Sequence, residues 1–424
     1  MFTRSLWVRL HRWAGLAMAG FLIVVGLTGS LLAFHSEMER LINPQLYPEP
    51  PAGQARLSLG ELAARAERLA PQAQVRSVSF GEPGWGGIWL APRTDPTTGQ
   101  PYALEFDQLF LDPYSGEELG RREWGAISQG LINLMPFVFK LHYALALDMV
   151  GVWILGICAL IWTLDCFVGL YLTFPARRPN AGRSFTREGQ GKPGWWRRWK
   201  PAWLVKRHAG VYRVNFDLHR ASGLWLWIAL LIFAWSSVYM NLWDTVYTWT
   251  TRALFEYKAP WTEIAERPTP LETPALGWQT AQEVGERLMA EQARQQEFTI
   301  DEPLSLSIDR VRGVYEYSVH SSRDIQDANR RGMTQVFFDA NSGALQLVLL
   351  PTGQRNGNTV TSWLYALHMA NVFGLPYRIF VCLLGLVIVM LSVTGVYLWL
   401  KKRRSRTVGQ ERRTRPTNVR PADG

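Results

Sequence analysis

Seven histidines stand in this sequence, and five lie at the ends of long apolar runs: His11, His35, His142, His219 and His368. Four of the five are related by internal repetition. Leu10-His11-Arg12 with Gly15-Leu16 recurs as Leu218-His219-Arg220 with Gly223-Leu224 at an offset of 208, and Leu141-His142 recurs as Leu367-His368 at an offset of 226. The second offset also superimposes Gly169 on Gly395, Tyr171-Leu172 on Tyr397-Leu398 and Arg177-Arg178 on Arg403-Arg404. Duplicated halves packed about a pseudo-two-fold axis would bring His11 opposite His219 and His142 opposite His368. Two opposed imidazoles can take the axial positions of a haem iron, whereas a closed Zn or Cu site needs three or four converging N, S or O donors. Only His35, His142 and His368 approach that count. Gly15 and Gly223 beside one pair, and Gly151 and Gly374 beside the other, leave room for flat macrocycles, so paired haem ligation fits better. His35 maps to Trp243 and has no repeat partner, which makes it an extra outer-side residue or an alternative ligand. Asp165 maps to Leu391 and falls outside the repeated plan, as a polar contact or part of a proton path.

These histidines need elements to carry them. The apolar runs exceed the roughly 20 residues with which a helix crosses a bilayer, and backbone in hydrocarbon must satisfy its own hydrogen bonds, so helices are expected. A net charge of +10 would suit a nucleic-acid binder, but the charge is unevenly placed. Residues 1–12, 175–218 and 401–424 hold 23 of the 45 Lys and Arg but only 4 of the 35 Asp and Glu. Lys and Arg flanking spans mark the cytoplasmic side. Trp195-Trp196-Arg197-Arg198-Trp199-Lys200 likewise has the interfacial pattern of Trp beside basic residues. The partner of the basic segments is then the lipid bilayer and no nucleic acid, with both termini cytoplasmic. Cys158, Cys166 and Cys382 fall inside apolar runs and give no disulfide framework.

The resulting plan assigns 1–35 to a cytoplasmic start and first span, 36–140 to an outward domain, and 141–176 to the second span. A basic cytoplasmic loop (177–217), a third span (218–243), a second outward domain (244–366), a fourth span (367–400) and a basic cytoplasmic tail (401–424) follow. Residues 1–12 look like the n-region of a signal peptide, but the run behind them is too long and lacks a small-residue cleavage site, so a retained span is expected. In the first outward segment 58–69 has helical spacing, 75–80 and 102–106 alternate like strands, and Asp112-Pro-Tyr-Ser-Gly116 predicts a hairpin turn. The second segment repeats this with a helix near 280–292, strands at 304–308, 314–319 and 335–338, and a D-x-x-S-G turn from Asp339 to Gly343. The expected fold class is a membrane protein: a four-helix transmembrane bundle from a tandem duplication, with two outward α+β domains.

A helix opening with LHRWAGL, a DPYSG-type turn and a last span ending GVYLWLKKRR resemble the PepSY-associated transmembrane family of bacterial inner-membrane proteins. The resemblance covers nearly the whole chain. It implies PepSY-like periplasmic domains and, as in members studied as siderophore-iron reductases, b-type haem between the spans. Two haems are expected, with His11, His219, His142 and His368 as axial ligands. The function implied is an oxidoreductase that passes electrons across the inner membrane to a periplasmic ferric siderophore, releasing Fe(II). The alternative is an interaction or regulatory protein whose PepSY domains bind a partner. A transporter is a weaker reading, because the spans are expected to lack broken helices. Some relatives continue into flavodoxin-like and ferredoxin-reductase-like regions, and these 424 residues hold no Gly-rich dinucleotide fingerprint, so a separate cytoplasmic or membrane electron donor is expected. From His11 to His35 the first span covers 24 residues, roughly 36 Å at 1.5 Å per residue, against a hydrocarbon core of roughly 30 Å.

The charge asymmetry gives a direct test. Reporters fused within 36–140 or 244–366 should be active only when exported, and one fused after Gly424 only in the cytoplasm; periplasmic activity after Gly424 would overturn the topology.

Overall fold

A computed structural model describes residues 3–49, 51–81, 87–176, 194–325 and 334–414. The start of the basic loop, 177–193, and the end of the basic tail, 415–424, lie outside the described residues. In chain order the first half holds α1 (Arg4–Leu32), α2 (His35–Ile42), α3 (Leu59–Leu69), strands β1 (Ala73–Ser79), β2 (Gly87–Pro92), β3 (Gln108–Leu111) and β4 (Glu118–Arg122), then α4 (Leu134–Ala144) and α5 (Asp148–Thr173). After the short α6 (Trp195–Trp199), the second half holds α7 (Val211–Trp225), α8 (Trp227–Asn241), α9 (Thr248–Leu254), α10 (Pro260–Glu263) and α11 (Trp278–Gln295). Strands β5 (Ile300–Asp309), β6 (Val314–Ser321), β7 (Thr334–Asp339) and β8 (Leu345–Leu349) precede α12 (Asn356–His368) and α13 (Gly374–Thr414).

Three helices are long and apolar enough to cross a membrane: α1 with 29 residues, α5 with 26, and α13 over the 32 residues Gly374–Ser405. The third expected span is a bent pair. Helices α7 and α8 meet at 71°, so a continuous helix over 218–243 is corrected to two segments, and the expectation of unbroken spans goes with it. Ser222, one turn before the break, donates from Oγ to Leu218 O at 2.5 Å, a back-bond that bends helices.

Contacts divide the chain into two compact units. The first comprises Met1–Leu27, Ile157–Trp235 and Leu383–Gly424. Here α1 and α13 approach closely: a Cβ on Gly26 would lie 2.8 Å from Gly385 O and 2.9 Å from a Val389 methyl. Small residues permit such backbone contact between apolar helices. Indole rings of Trp195, Trp199 and Trp203 cluster with Phe174 beside Arg197 and Arg198.

The second unit comprises Thr28–Gly156 and Ser236–Cys382 and carries all eight strands. Residues 73–122 and 300–349 each form an antiparallel meander, and the two meanders join through β1 and β5, where Ser77, Val78 and Ser79 face Ser307, Leu306 and Ser305. The order β4-β3-β2-β1-β5-β6-β7-β8 is one continuous sheet. Two separate domains are thus corrected to two meanders sharing a sheet and a core. Pairing β1 with β5 removes an exposed edge from each. Leu62 and Ala66 of α3 and Ala281, Leu288 and Met289 of α11 are buried in that common core with Val78, Leu306 and Tyr317. The helices touch where Gly60 lies: a Cβ there would sit 2.8 Å from Gln279 Cα.

Local chemistry explains the elements. Ser58 caps α3 by accepting from Glu61 N, while the Glu61 carboxylate accepts from Ser58 N, a capping box that lowers the Glu61 pKa. Both D-x-x-S-G turns form alike. Asp112 Oδ1 accepts from Tyr114 N and Ser115 N, and Asp339 Oδ1 from Asn341 N and Ser342 N. Gly116 and Gly343 take φ of 71° and 72°, which glycine adopts without steric cost. Residues 102–106 are irregular instead of a strand.

The side of the sheet at β4 is tied down by a buried ion pair. Arg122 Nη1 donates to Glu39 Oε1 at 2.7 Å and to Ile132 O at 2.7 Å, and Nε donates to Gln108 Oε1 at 2.8 Å. Both charged side chains are fully enclosed; burial pushes the Glu39 carboxyl up, and the Arg122 charge opposes that rise. Glu39→Ala leaves the guanidinium buried without its counter-charge and should destabilise this unit by about 3–5 kcal/mol. Denaturant unfolding checks this, and joint replacement by Glu39→Leu and Arg122→Met should recover much of the loss.

Candidate functional site

In the first unit α1 carries His11 and α7 carries His219, and their ring centroids lie 6.2 Å apart with planes at 67°. Each ring is held from behind by the helix that follows it in the repeat. His11 Nδ1 donates to the Asp165 carboxylate, 2.9 Å to Oδ1 and 3.0 Å to Oδ2. His219 Nδ1 donates to Leu391 O at 3.0 Å, with Thr394 Oγ1 also at 3.0 Å. Positions 165 and 391 are equivalents under the 226 offset. The repeat therefore supplies the same second partner twice, as a carboxylate once and as a backbone carbonyl once. Gly169 and Gly395, also equivalents, lie beside the rings: a Cβ on either would be 3.7 Å from His11 Cε1 or 3.4 Å from His219 Cε1.

The second unit holds the other pair. His142 is in the last turn of α4 and His368 ends α12, so both precede their span helices instead of opening them as the sequence plan had it. Their centroids are again 6.2 Å apart, with planes at 65°. Thr28 Oγ1 is hydrogen-bonded to His142 Nδ1 at 2.9 Å and Ser236 Oγ to His368 Nδ1 at 2.7 Å. Thr28 and Ser236 are equivalents under the 208 offset. Gly29 is pressed on the ring: a Cβ there would meet His142 Cε1 at 2.9 Å.

Sharp chain reversals set these two histidines. Leu145, Ala146 and Asp148 have φ of 52°, 56° and 49°, and Ala370 and Phe373 have 54° and 58°. Left-handed backbone at non-glycine residues costs of order 1–3 kcal/mol each and clusters where geometry serves function. Neighbouring groups hold the reversals: Asn241 Nδ2 donates to Tyr143 O and Val152 O, and Tyr377 Oη donates to Leu367 O.

This arrangement fits a planar metal macrocycle between each pair. Metal–nitrogen bonds of about 2.0–2.1 Å on opposite sides of one metal put imidazole centroids roughly 6–6.5 Å apart, and each ring can rotate about its own bond. With Nδ1 engaged, Nε2 is the nitrogen through which each ring would bind a metal, the division of roles that a metal-binding histidine shows. Among the described residues no group of three or more His, Cys, Asp and Glu side chains converges. Each pair offers two imidazole donors.

The remaining expectations fare variously. His35 is buried at the start of α2, in the unit that also holds His142 and His368. Gly15 faces open space, but Gly151 does not, since a Cβ there would fall 1.6 Å from Ala144 O; it serves the reversal after α4 and leaves no room for a ring. Arg378 and Tyr377 make structural contacts: Arg378 Nε donates to Ala33 O at 3.0 Å and its guanidinium pairs with Glu37. His320 is buried with Asp324, and His208 is exposed. Thr28, Ser236, Thr394 and Leu391 were not singled out from sequence; the 208 offset relates the first two, but a backbone carbonyl acceptor leaves no trace in residue type. Asp165, read from sequence as a polar contact or part of a proton path, makes its polar contact with His11.

The model of the PepSY-associated TM region matches residues 8–402, nearly the whole chain. The chain belongs to that family. No curated protein matches the sequence. As a PepSY-associated chain with three or four membrane-crossing helices, it is a multi-pass membrane protein.

Glycine at 29 gives a selective probe of this PepSY-associated protein. Gly29→Ala should displace His142 and disturb the second pair alone, while Gly169→Ala, whose Cβ makes only ordinary contact, should be neutral. Chromophore content per chain, read by absorbance, distinguishes the two: loss in the first variant and near-native content in the second are expected.

Proposed function

We propose that this protein is a di-haem b oxidoreductase of the bacterial inner membrane, in which four helical spans form a bundle that holds two haem sites. Electrons enter from a cytoplasmic or membrane donor and leave to a periplasmic ferric siderophore, whose reduction releases Fe(II). The observation that carries this reading is the duplicated donor set: two imidazole pairs at one separation, 6.2 Å, each ring held at Nδ1 by a partner at a repeat-equivalent position.

Haem supplies a one-electron Fe(III)/Fe(II) couple, tuned by its axial ligands and their hydrogen bonds. The chain's own part is to hold four imidazoles in direction, with the tautomer of His11 and His219 set by partners that only accept. Asp165, Leu391 O, Thr28 and Ser236 do this, and the flanking glycines keep Cβ atoms away from the rings. At the periplasmic face a bulky ferric chelate would react outside the hydrocarbon, and a chelator built for Fe(III) binds Fe(II) weakly.

Purified protein carrying His11→Ala or His219→Ala should lose one haem and keep the other, and His142→Ala or His368→Ala should lose the complementary one. Full haem content in all four variants would remove the assignment. Chemically reduced protein in liposomes should be reoxidised by external ferric siderophores, with Fe(II) captured by a chromogenic chelator. Haem that stays reduced with every ferric complex yet reoxidises with another periplasmic acceptor would keep the electron-transfer role and refute the iron reductase.

A further inference from the structure

The repeat is symmetric in its histidines and asymmetric in what stands behind them. Behind His219 the Nδ1 proton meets a carbonyl, and behind His142 and His368 stand hydroxyls. Behind His11 stands a carboxylate that receives the proton through both oxygens, at 2.9 and 3.0 Å, with the Asp165 side chain only 12% exposed. A negative charge in that place makes the imidazole a more basic ligand and stabilises the more positive, oxidised state of the metal beyond it. In a low-dielectric span water screens such a charge poorly.

On the haem reading above, we propose that Asp165 is a positioning residue that holds the His11–His219 site at a lower reduction potential than the His142–His368 site, and so directs electrons from the first to the second. With haem held by His11 and His219 at the first site and by His142 and His368 at the second, the transfer would be of one electron, lost by the first couple and gained by the second, with no change of bond or proton. Two sites with neutral partners throughout would lack this bias, and tandem duplication alone would produce such a pair. Asp165 breaks that equivalence at a position where the backbone already suffices, as Leu391 O demonstrates. A hydrogen-bond acceptor is therefore not what the side chain adds; charge is.

The test is an optical redox titration of the full-length protein in detergent at fixed pH. The native chain should titrate as two one-electron components. In Asp165→Asn, which keeps shape and an acceptor oxygen but not the charge, one component should rise by a factor of ten or more in its equilibrium constant, 59 mV for one electron, with the other unmoved. Asp165→Glu should return it toward the native value. Where Asp165→Asn impairs haem retention, Thr394→Asp in the native chain decides instead, because it sets a carboxylate beside His219 and should lower the same component. Unmoved potentials in haem-replete Asp165→Asn, or an unmoved component in Thr394→Asp, overturn the proposal while leaving the di-haem reading intact. Native protein without haem overturns that reading, and this proposal with it.

Discussion

An imidazole placed inside an apolar helical layer has two nitrogens to account for, and the structure depends on how one of them is settled. At all four repeated histidines another helix meets Nδ1: α5 and α13 at His11 and His219, and α1 and α8 at His142 and His368. This single contact fixes the direction of the ring and the nitrogen through which it acts, and it also ties helices together where hydrophobic attraction between them is weak. A buried polar atom left alone would cost a kilocalorie per mole or more. The site and the packing of the spans are therefore one arrangement.

Much else follows from keeping these contacts in register. Helices α4 and α12 end in chain reversals with left-handed residues, and those reversals let a histidine point inward ahead of its span. Glycines lie where a side chain would strike a ring, at Gly29 most tightly. The duplication also resolves a problem of its own: each outward meander has an edge at its first strand, and joining β1 to β5 turns two edges into the centre of one sheet.

The sequence reading reached the histidine pairing because the repeat offsets are constant and an apolar run of 20 residues admits little but helix. It anticipated α3, α11, both D-x-x-S-G turns and strands β1, β5, β6 and β7, whose alternation or capping residues are local. Strand β2 escaped, since Gly-Ile-Trp-Leu-Ala-Pro is too short and unpatterned to distinguish from a loop. The break at Leu226 escaped as well, because a serine back-bond inside an apolar run has no composition signal. That the two meanders share one sheet is a long-range pairing, invisible to any window of residues. Asp165 was legible as a polar contact but not as the counterpart of Leu391 O, because residue types were compared across the repeat and a backbone acceptor has no residue type.

The proposed function rests on two repeat-related sites, each a pair of imidazoles 6.2 Å apart. Its most direct test is haem and iron quantification per chain on the purified protein, with electron paramagnetic resonance of the oxidised form. Two haems per chain, both low-spin with nitrogen on each axial face, are the expected result. A preparation that holds no haem after expression with ample haem supply, or that binds one with a single histidine ligand, would contradict it.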